Sequence, residues 1–448
     1  MKKLYLYALG LAMGQFVPTV MNAQTSGTVT IRSFEDDIAF GGCFWGVSPN
    51  GQYAVGFSEM FTGNSFIWDR ETDELKLIEG SYENQSCAYG VSDDGTVVGS
   101  FLDENSLSRY GEPCMVPGFW KDGVWTALER LEGVTLSGQG LDGDAKKISR
   151  DGRIIGGYLK RADYKYFPCI WVDGVMQPGA TDELRGQGGI LWSMSDDGTL
   201  LGGRAEHESG AGSPALWSEG QTIRLAGEVW DEETEEYFFQ GSTSSISRNG
   251  EYAAGLFSYD GGMAQQPFIW SKENGFKYIA ENGSCTHIND EGMAFGVDGY
   301  MGSPFIYKNG TMENLTDYLK SEYEYNSSDY IQYVLDASDN SRVMGGWTMH
   351  TVPMGTIMKP VLAIINVDDK IASSKADYGV NVRVEGNTLF VTGKGDIAYS
   401  DVKVYDSVGA CVAELPVGKE SVEIPQSGAY IVRISGNQGI SAHKIMIP

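Results

Sequence analysis

The segment Lys160-Arg161-Ala162-Asp163-Tyr164-Lys165-Tyr166 gathers three basic and two aromatic side chains, in a chain whose formal net charge is −27. Cations beside aromatic faces can hold a glycan or an extended partner; the plainer alternative is pairing with neighbouring acids. Arg204, His207, Tyr259, Tyr300 and Trp347 recur at comparable places, with Phe61, Tyr110 and His350 near them. Lys160, Arg161, Tyr164, Tyr166, Arg204, His207, Tyr259, Tyr300 and Trp347 are therefore the candidate ligand-binding residues. Catalytic motifs are scarce. Gly138-Gln139-Gly140-Leu141-Asp142-Gly143 matches G-x-G-x-x-G in form, but no βαβ unit surrounds it and Asp142 and Asp144 would repel a pyrophosphate. It reads as a connection. His207, His287, His350 and His443 stand alone in sequence, so no catalytic residue, metal site or cofactor is expected. The Asp-Asp-Gly turns lack the alternating oxygen ligands of a calcium loop. The acidic run 231–236 reads as a solvated loop.

The elements that must position these residues are repeats. One phrase recurs seven times: GVSPNGQYAVG at 46–56, GVSDDGTVVG at 90–99, KISRDGRIIGG at 147–157, SMSDDGTLLGG at 193–203, SISRNGEYAAG at 245–255, HINDEGMAFG at 287–296 and DASDNSRVMGG at 336–346. Its landmarks are Ser48, Ser92, Ser149, Ser195, Ser247, Asn289 and Ser338. A second phrase follows each, ending at Trp68, Trp120, Trp171, Trp217, Trp270, Tyr307 and, degenerately, Ala363. The repeated tryptophans resemble a sugar-stacking set, but their fixed place in a strand assigns them to contact between neighbouring repeats.

In each copy an apolar residue precedes the landmark, and turn residues such as Asp-Asp-Gly or Arg-Asn-Gly follow it. A short apolar run then ends in glycine, as at Gly99, Gly156 and Gly202. The Trp phrase makes a third strand, with proline where no ladder donor is lost, and the run after it a fourth. Four antiparallel strands per repeat make a propeller blade, so the expectation is an all-β, seven-bladed propeller over residues 24–368. The last copy shows three strands, and Gly27–Arg32 precedes the first copy without an owner. It is expected to supply the missing outer strand and remove a free edge. A helix is expected over Met312–Tyr323, on the spacing of Leu315, Tyr318 and Leu319.

Composition agrees. Gly is 59 of 448 residues and hydrophobic residues are 42%, which excludes a disordered chain. The acidity argues against nucleic acid and anionic membrane surfaces as partners and favours a soluble monomer. Lys2-Lys3, an apolar run to Val20 and Ala23 before Gln24 match a secretory signal peptide over residues 1–23; no later stretch reads as a transmembrane segment. Cys43, Cys87, Cys114, Cys169, Cys285 and Cys411 are too scattered for a disulfide scaffold. Buried free thiols are expected, Cys87 with Cys114 being the one pair to test.

The paired phrases Ser-x-Asp-Gly-x-x-x-Gly and Pro-Φ-Φ-Trp, with the late NLTDYL segment, resemble the extracellular bacterial HAF-type repeats and, more loosely, WD-repeat blades. That resemblance covers roughly residues 40–366 and implies a fold rather than an activity. After a polar linker at 369–378, residues 379–448 alternate as a small β-sandwich would. From Lys375 onward, seven basic residues face eight acidic ones, so the acidity belongs to the propeller. Tyr405, Asp406 and Gly409, then Gly428 and Tyr430, then Lys444 resemble the C-terminal sorting domain of the type IX secretion system. The resemblance implies periplasmic transit, passage through the outer membrane by that machinery, and an extracellular or surface location. An ordinary Ig-like stalk domain is the alternative.

Two function classes remain. The first is a secreted or surface-displayed binding propeller, with a glycan or a host or other extracellular protein as partner. The second is a propeller enzyme of glycoside hydrolase or lyase type. The second needs paired carboxylates or a histidine constellation at the central channel.

Overall fold

The computed structural model describes residues 27–34, 41–58, 63–130, 141–160, 166–177, 188–206, 212–219, 221–225, 230–231, 236–237, 241–258, 265–299, 302–323, 325–352, 355–367, 380–393, 399–406, 411–415, 419, 421–424, 428–436 and 439–447. The signal peptide and the linker expected from the sequence lie outside the described residues. The chain forms two compact units, one spanning Gly27–Ile371 and one containing residues 372–448.

The first unit is a β-propeller of seven four-stranded antiparallel sheets. Blade 1 consists of Gly42–Val47, Tyr53–Ser58, Ser65–Asp69 and Glu74–Leu77. The first, innermost strands of blades 2 to 7 are Ser86–Val91, Gly143–Ile148, Gly189–Met194, Gly241–Ile246, Ser284–Ile288 and Tyr333–Ala337. Blade 7 is completed from outside its own repeat: Gly27–Ser33 pairs with Gly355–Val367, from Gly27 opposite Val367 to Ser33 opposite Val361. The ring closes where the first strand of blade 1 packs against blade 7, around Phe34, Phe44, Phe66, Trp68 and Leu362.

The landmark residue builds the turn from inside. Its side chain is buried in all seven copies. It accepts the N–H that opens the second strand, at 2.9 Å from Tyr53 to Ser48, 3.1 Å from Thr96 to Ser92 and 2.9 Å from Met293 to Asn289. The serine in turn donates to the Asx carboxyl or amide oxygen two residues on, as from Ser48 to Asn50 at 2.8 Å. The next residue is left-handed, with φ of 72° at Gly51 and 80° at Gly95, where glycine carries no steric cost.

Each first strand carries a bulge three residues before its landmark, at Trp45, Tyr89, Lys146, Trp192, Ser244, Thr286 and Leu335. The residue paired beside the bulge is always glycine: Gly56, Gly99, Gly157, Gly203, Gly255, Gly296 and Gly346. A Cβ at any of them would lie on a carbonyl oxygen of the first strand. The repeat glycine is thus a close-approach position. Where two glycines adjoin, the earlier one faces the next blade, Gly156 against Met194 and Gly202 against Ile246.

Trp68, Trp171 and Trp217 are buried between blades, and Trp120 and Trp270 half-buried. The helix spans Leu315–Tyr323 between blades 6 and 7, starting later than its apolar spacing suggests. Met312 belongs to the outer strand Thr311–Asn314, and Asn314 ends that strand by capping the helix, accepting from Thr316 N–H at 2.9 Å. The ends of the acidic run pair, Trp230–Asp231 with Glu236–Tyr237 as a small ladder, and residues 232–235 lie outside the described residues. All six cysteines are free, so Cys87 and Cys114 are not bridged; Cys43, Cys114, Cys169 and Cys285 are buried.

The second unit is a β-sandwich. Val380–Glu385, Thr388–Gly393 and Ser421–Glu423 form one sheet; Cys411–Leu415, Tyr399–Tyr405, Gly428–Gly436 and Gly439–Ile447 form the other. Leu389, Val391, Val402, Val404, Leu415 and Val432 fill the core between them. Among the described residues no helix is long and apolar enough to cross a membrane.

Candidate functional site: the central channel

The first strands line the channel in three tiers. The tier at the turn-side mouth is formed by the residue after each landmark: Asp93, Arg150, Asp196, Arg248, Asp290 and Asp339, with Pro49 on blade 1. Arg150 bridges Asp93 at 3.3 Å, Asp196 at 3.5 Å and also Asp339. Arg248 bridges Asp196 at 3.2 Å and Asp339 at 3.0 Å. The ring also runs through the backbone: Arg150 N–H donates to Asp196 at 3.0 Å and Asp196 N–H to the Arg248 carbonyl at 2.8 Å. The two arginines thus tie three of the four aspartates of this mouth together, from blades 2, 4 and 7.

The second tier lies two residues before each landmark and reads Gly46, Gly90, Lys147, Ser193, Ser245, His287 and Asp336. Asp336 joins four blades. It accepts Val47 N–H of blade 1 at 3.1 Å, Lys147 Nζ of blade 3 at 2.8 Å and faces His287 Nδ1 of blade 6 at 2.9 Å. Burial alone would push its carboxyl up; the Lys147 ammonium and His287 reverse this and hold it below the usual carboxylate range. Ser193 and Ser245 accept Ile246 N–H at 2.9 Å and Ile288 N–H at 3.1 Å from the blades that follow them. His287 Nε2 is buried with no hydrogen-bond partner among the described residues. The cavity beside these groups is about 20 Å³. By the same measure a single water needs roughly 10–15 Å³, so the tier floors the channel rather than holding a substrate.

The third tier is the bulge itself. Trp45, Tyr89 and Trp192 are half-buried and Lys146 is fully buried. Lys146 Nζ sits 2.9 Å from Asp144 Oδ2, 3.2 Å from the centroid of the Tyr89 ring and 5.1 Å from that of Trp192. Tyr158 donates to Asp144 at 2.5 Å. Burial pulls the Lys146 ammonium down from its ordinary range. Burial would raise Asp144, but Lys146 and the Tyr158 hydroxyl hold it low. Trp45 stacks on Phe57 at 5.9 Å and meets Tyr89 edge-on at 5.8 Å. On blades 5 and 6 the equivalent residues are only Ser244 and Thr286.

Of the residues singled out from sequence, four lie in strands rather than in loops, because the second strand continues past the repeat glycine. Lys160 ends the second strand of blade 3 opposite Tyr166, and Tyr166 meets Tyr158 edge-on at 5.4 Å, beside the Asp144–Lys146 pair. Arg204 and Trp347 occupy on blades 4 and 7 the ladder position of Tyr158. Arg204 lies 3.9 Å from Glu206, and Trp347 stacks on Tyr333 at 4.1 Å. Arg161, Tyr164, His207, Tyr259 and Tyr300 lie outside the described residues. Tyr166 is thus brought to the channel cluster, while Arg204 and Trp347 stay with partners on their own blades. Trp45, Tyr89, Lys146 and Trp192 escape single-motif reading; aligning the seven copies on their landmarks exposes them, since all stand three residues earlier. Tyr405 and Tyr430 face each other's strands in the sandwich, Tyr405 pairing with Ile431, and Gly428 opens the strand carrying Tyr430. Asp406 follows Tyr405, Lys444 pairs with Ile431, and Gly409 lies outside the described residues.

A second concavity of about 440 Å³ lies beside the helix start, between Pro304, Asn314, Asp317 and Tyr330. It is an open polar groove. Among the described residues no group of three or more His, Cys, Asp or Glu is placed to hold a metal ion.

No family model matches the chain, and no curated protein matches it. Solved structures similar to it include PorZ of Porphyromonas gingivalis, a surface component of the type IX secretion system, at 10% identity and TM-score 0.38, covering 90% of this chain and 59% of PorZ. The β-propeller domain of the trilobed protease of Pyrococcus furiosus matches at 12% identity and TM-score 0.40, over 72% of this chain and 95% of that one. An oligogalacturonate lyase of Vibrio parahaemolyticus matches at 10% identity and TM-score 0.43, over 76% and 98%. The chain spans under two thirds of PorZ. Similarities this low bear on neither activity nor partners, and the propeller assignment rests on the sheet topology.

Proposed function

We propose that this chain is a secreted or surface-displayed bacterial binding propeller of HAF-like repeats, exported by the type IX machinery with residues 379–448 as its sorting domain. The observation that carries the binding reading is the ionic tie across the turn-side mouth. Both arginines and three of its four aspartates are spent on one another, which leaves the opposite, loop-bearing face for a partner. That partner is a glycan or an extracellular protein; Lys160 and Tyr166 stand at that face, at the two ends of the segment that carries Arg161 and Tyr164. The sorting reading is supported by the order of Tyr405, Gly428, Tyr430 and Lys444 within a separate sandwich.

Capture from glycan and extracellular-protein panels tests the first part. Arg161→Ala with Tyr164→Ala should abolish capture and leave the Tm nearly unchanged; full retention moves the site elsewhere. Intact mass tests the second. Surface or secreted protein should lack residues 1–23 and the C-terminal sandwich, and a mass that retains Tyr430 and Lys444 sinks the sorting assignment.

One observation favours a propeller enzyme instead: His287, Asp336 and Lys147 meet in the channel. Against it, the adjoining cavity takes about one water. Turnover of a glycoside or a uronate-containing oligosaccharide, lost in His287→Ala, would establish that reading.

A further inference from the structure

The seven copies of the bulge are equivalent in backbone but not in bulk. Blades 1 to 4 fill the third tier with Trp45, Tyr89, Lys146 and Trp192. Blades 5 and 6 place Ser244 and Thr286 there, and Ser242 and Ser284 two residues earlier. One side of the channel is therefore an aromatic wall, and the other a gutter of small hydroxyl side chains running down to Ser245 and His287. Ser242, Ser244 and Thr286 are half-exposed although they belong to innermost strands, so the gutter is open along the channel.

The remaining polar capacity says what would occupy it. The charged groups of these tiers are already paired, Lys146 with Asp144 and Lys147 with Asp336. No net charge is offered to an ionic ligand. Of the gutter hydroxyls, Thr286 Oγ1 is already bonded to the Phe295 and Val334 carbonyls, while Ser242 and Ser244 make no such bond among the described residues; on the floor, His287 Nε2 is buried with no partner among them. Buried polar groups normally find partners. A neutral, hydroxylated molecule with one apolar face satisfies both walls: its ring lies against the indoles and its hydroxyls meet the serines.

We propose that the channel above the His287 floor binds the end of a neutral saccharide, one pyranose ring held between Trp45 and Trp192 on one side and Ser242 and Ser244 on the other. The proposal rests on the binding reading of the propeller and narrows it to a ligand class and a place.

The repeat supplies its own test. Trp is the residue that blades 1 and 4 carry at the position of Ser244, so Ser244→Trp fills the gutter with a side chain the scaffold already accepts. Tryptophan fluorescence of the full chain is titrated with methyl α-glucopyranoside, methyl α-mannopyranoside, methyl β-galactopyranoside and N-acetylglucosamine, each to tens of millimolar. The expected result is saturable quenching by at least one of them, weakened tenfold or more in Ser244→Trp with the Tm unchanged. Should that variant not fold, Ser242→Tyr, which copies Tyr333 of blade 7, fills the same gutter. Absence of saturable binding to all four, or binding undiminished in a folded filler variant, overturns the proposal. Capture of a partner that Arg161→Ala with Tyr164→Ala abolishes, without any sugar binding in the channel, overturns this inference alone and leaves the binding propeller standing.

Discussion

At the scale of single residues, the repeat is written in positions whose neighbours permit one choice. Gly255 shows this best. A Cβ there would strike the Ser242 carbonyl and the Phe268 ring, and a backbone oxygen cannot move aside cheaply. Gly255→Ala should therefore destabilise the propeller by about 1–3 kcal/mol, the usual cost of overpacking, read as a lower urea midpoint at unchanged slope. Asp336 makes a different prediction. Its carboxyl is held below its ordinary range by Lys147 and His287. Stability from this group is thus fully present above the unfolded carboxylate value of about 4 and is lost as pH falls below it. Asp336→Asn leaves the half-buried Lys147 and the buried His287 without their anion. It should cost about 3–5 kcal/mol near neutral pH and flatten the loss of Tm between roughly pH 5 and pH 2; a variant whose Tm falls as steeply with acid as the native protein's would refute the assignment. The glycines and the Ser-x-Asx turn were legible because both are local. The Asp336 contacts were not, since they join residues from blades 1, 3, 6 and 7 that only ring closure brings together.

At the scale of elements, the closing strand is the piece whose partner is farthest away in sequence. Alternation in Val29 and Ile31 marks Gly27–Ser33 as a strand, and counting strands in the last copy names its place. Both inferences hold because an unpaired edge in an otherwise closed ring is costly. Deleting Thr25–Arg32 should expose the Val361–Val367 ladder, lower the Tm by about 5 °C or more and promote association, checked by calorimetry and light scattering. An unchanged melt and a monodisperse deletion would show that the ring closes without it. The helix was legible in kind but not in extent: Met312 shares its apolar spacing, yet the fourth-strand ladder with Tyr307 claims it, and the Asn314 cap sets the boundary. The two-pair ladder that brackets the acidic segment, Trp230 with Tyr237 and Asp231 with Glu236, was not legible, because no alternation marks so short a pairing.

At the scale of the whole molecule, blade number and order could be read from seven copies of one phrase, because every copy solves the same steric problem. The candidate site could not, because it is made from the differences between copies, and a difference at one position has meaning only once the ring sets the seven side by side. Ring closure also fixes how the propeller meets a pull. Gly27 and Val367 are partners at one end of the last antiparallel ladder, so the two chain segments that leave the ring depart from the same point. Tension applied between them acts across the ladder and not along it, and the hydrogen bonds take the force singly, in order from Gly27 to Ser33. A propeller tethered through the segment after Val367 and tugged through the segment before Gly27 would open like a zip at low force, whereas one pulled through a partner bound at its channel would carry the strain through the blades.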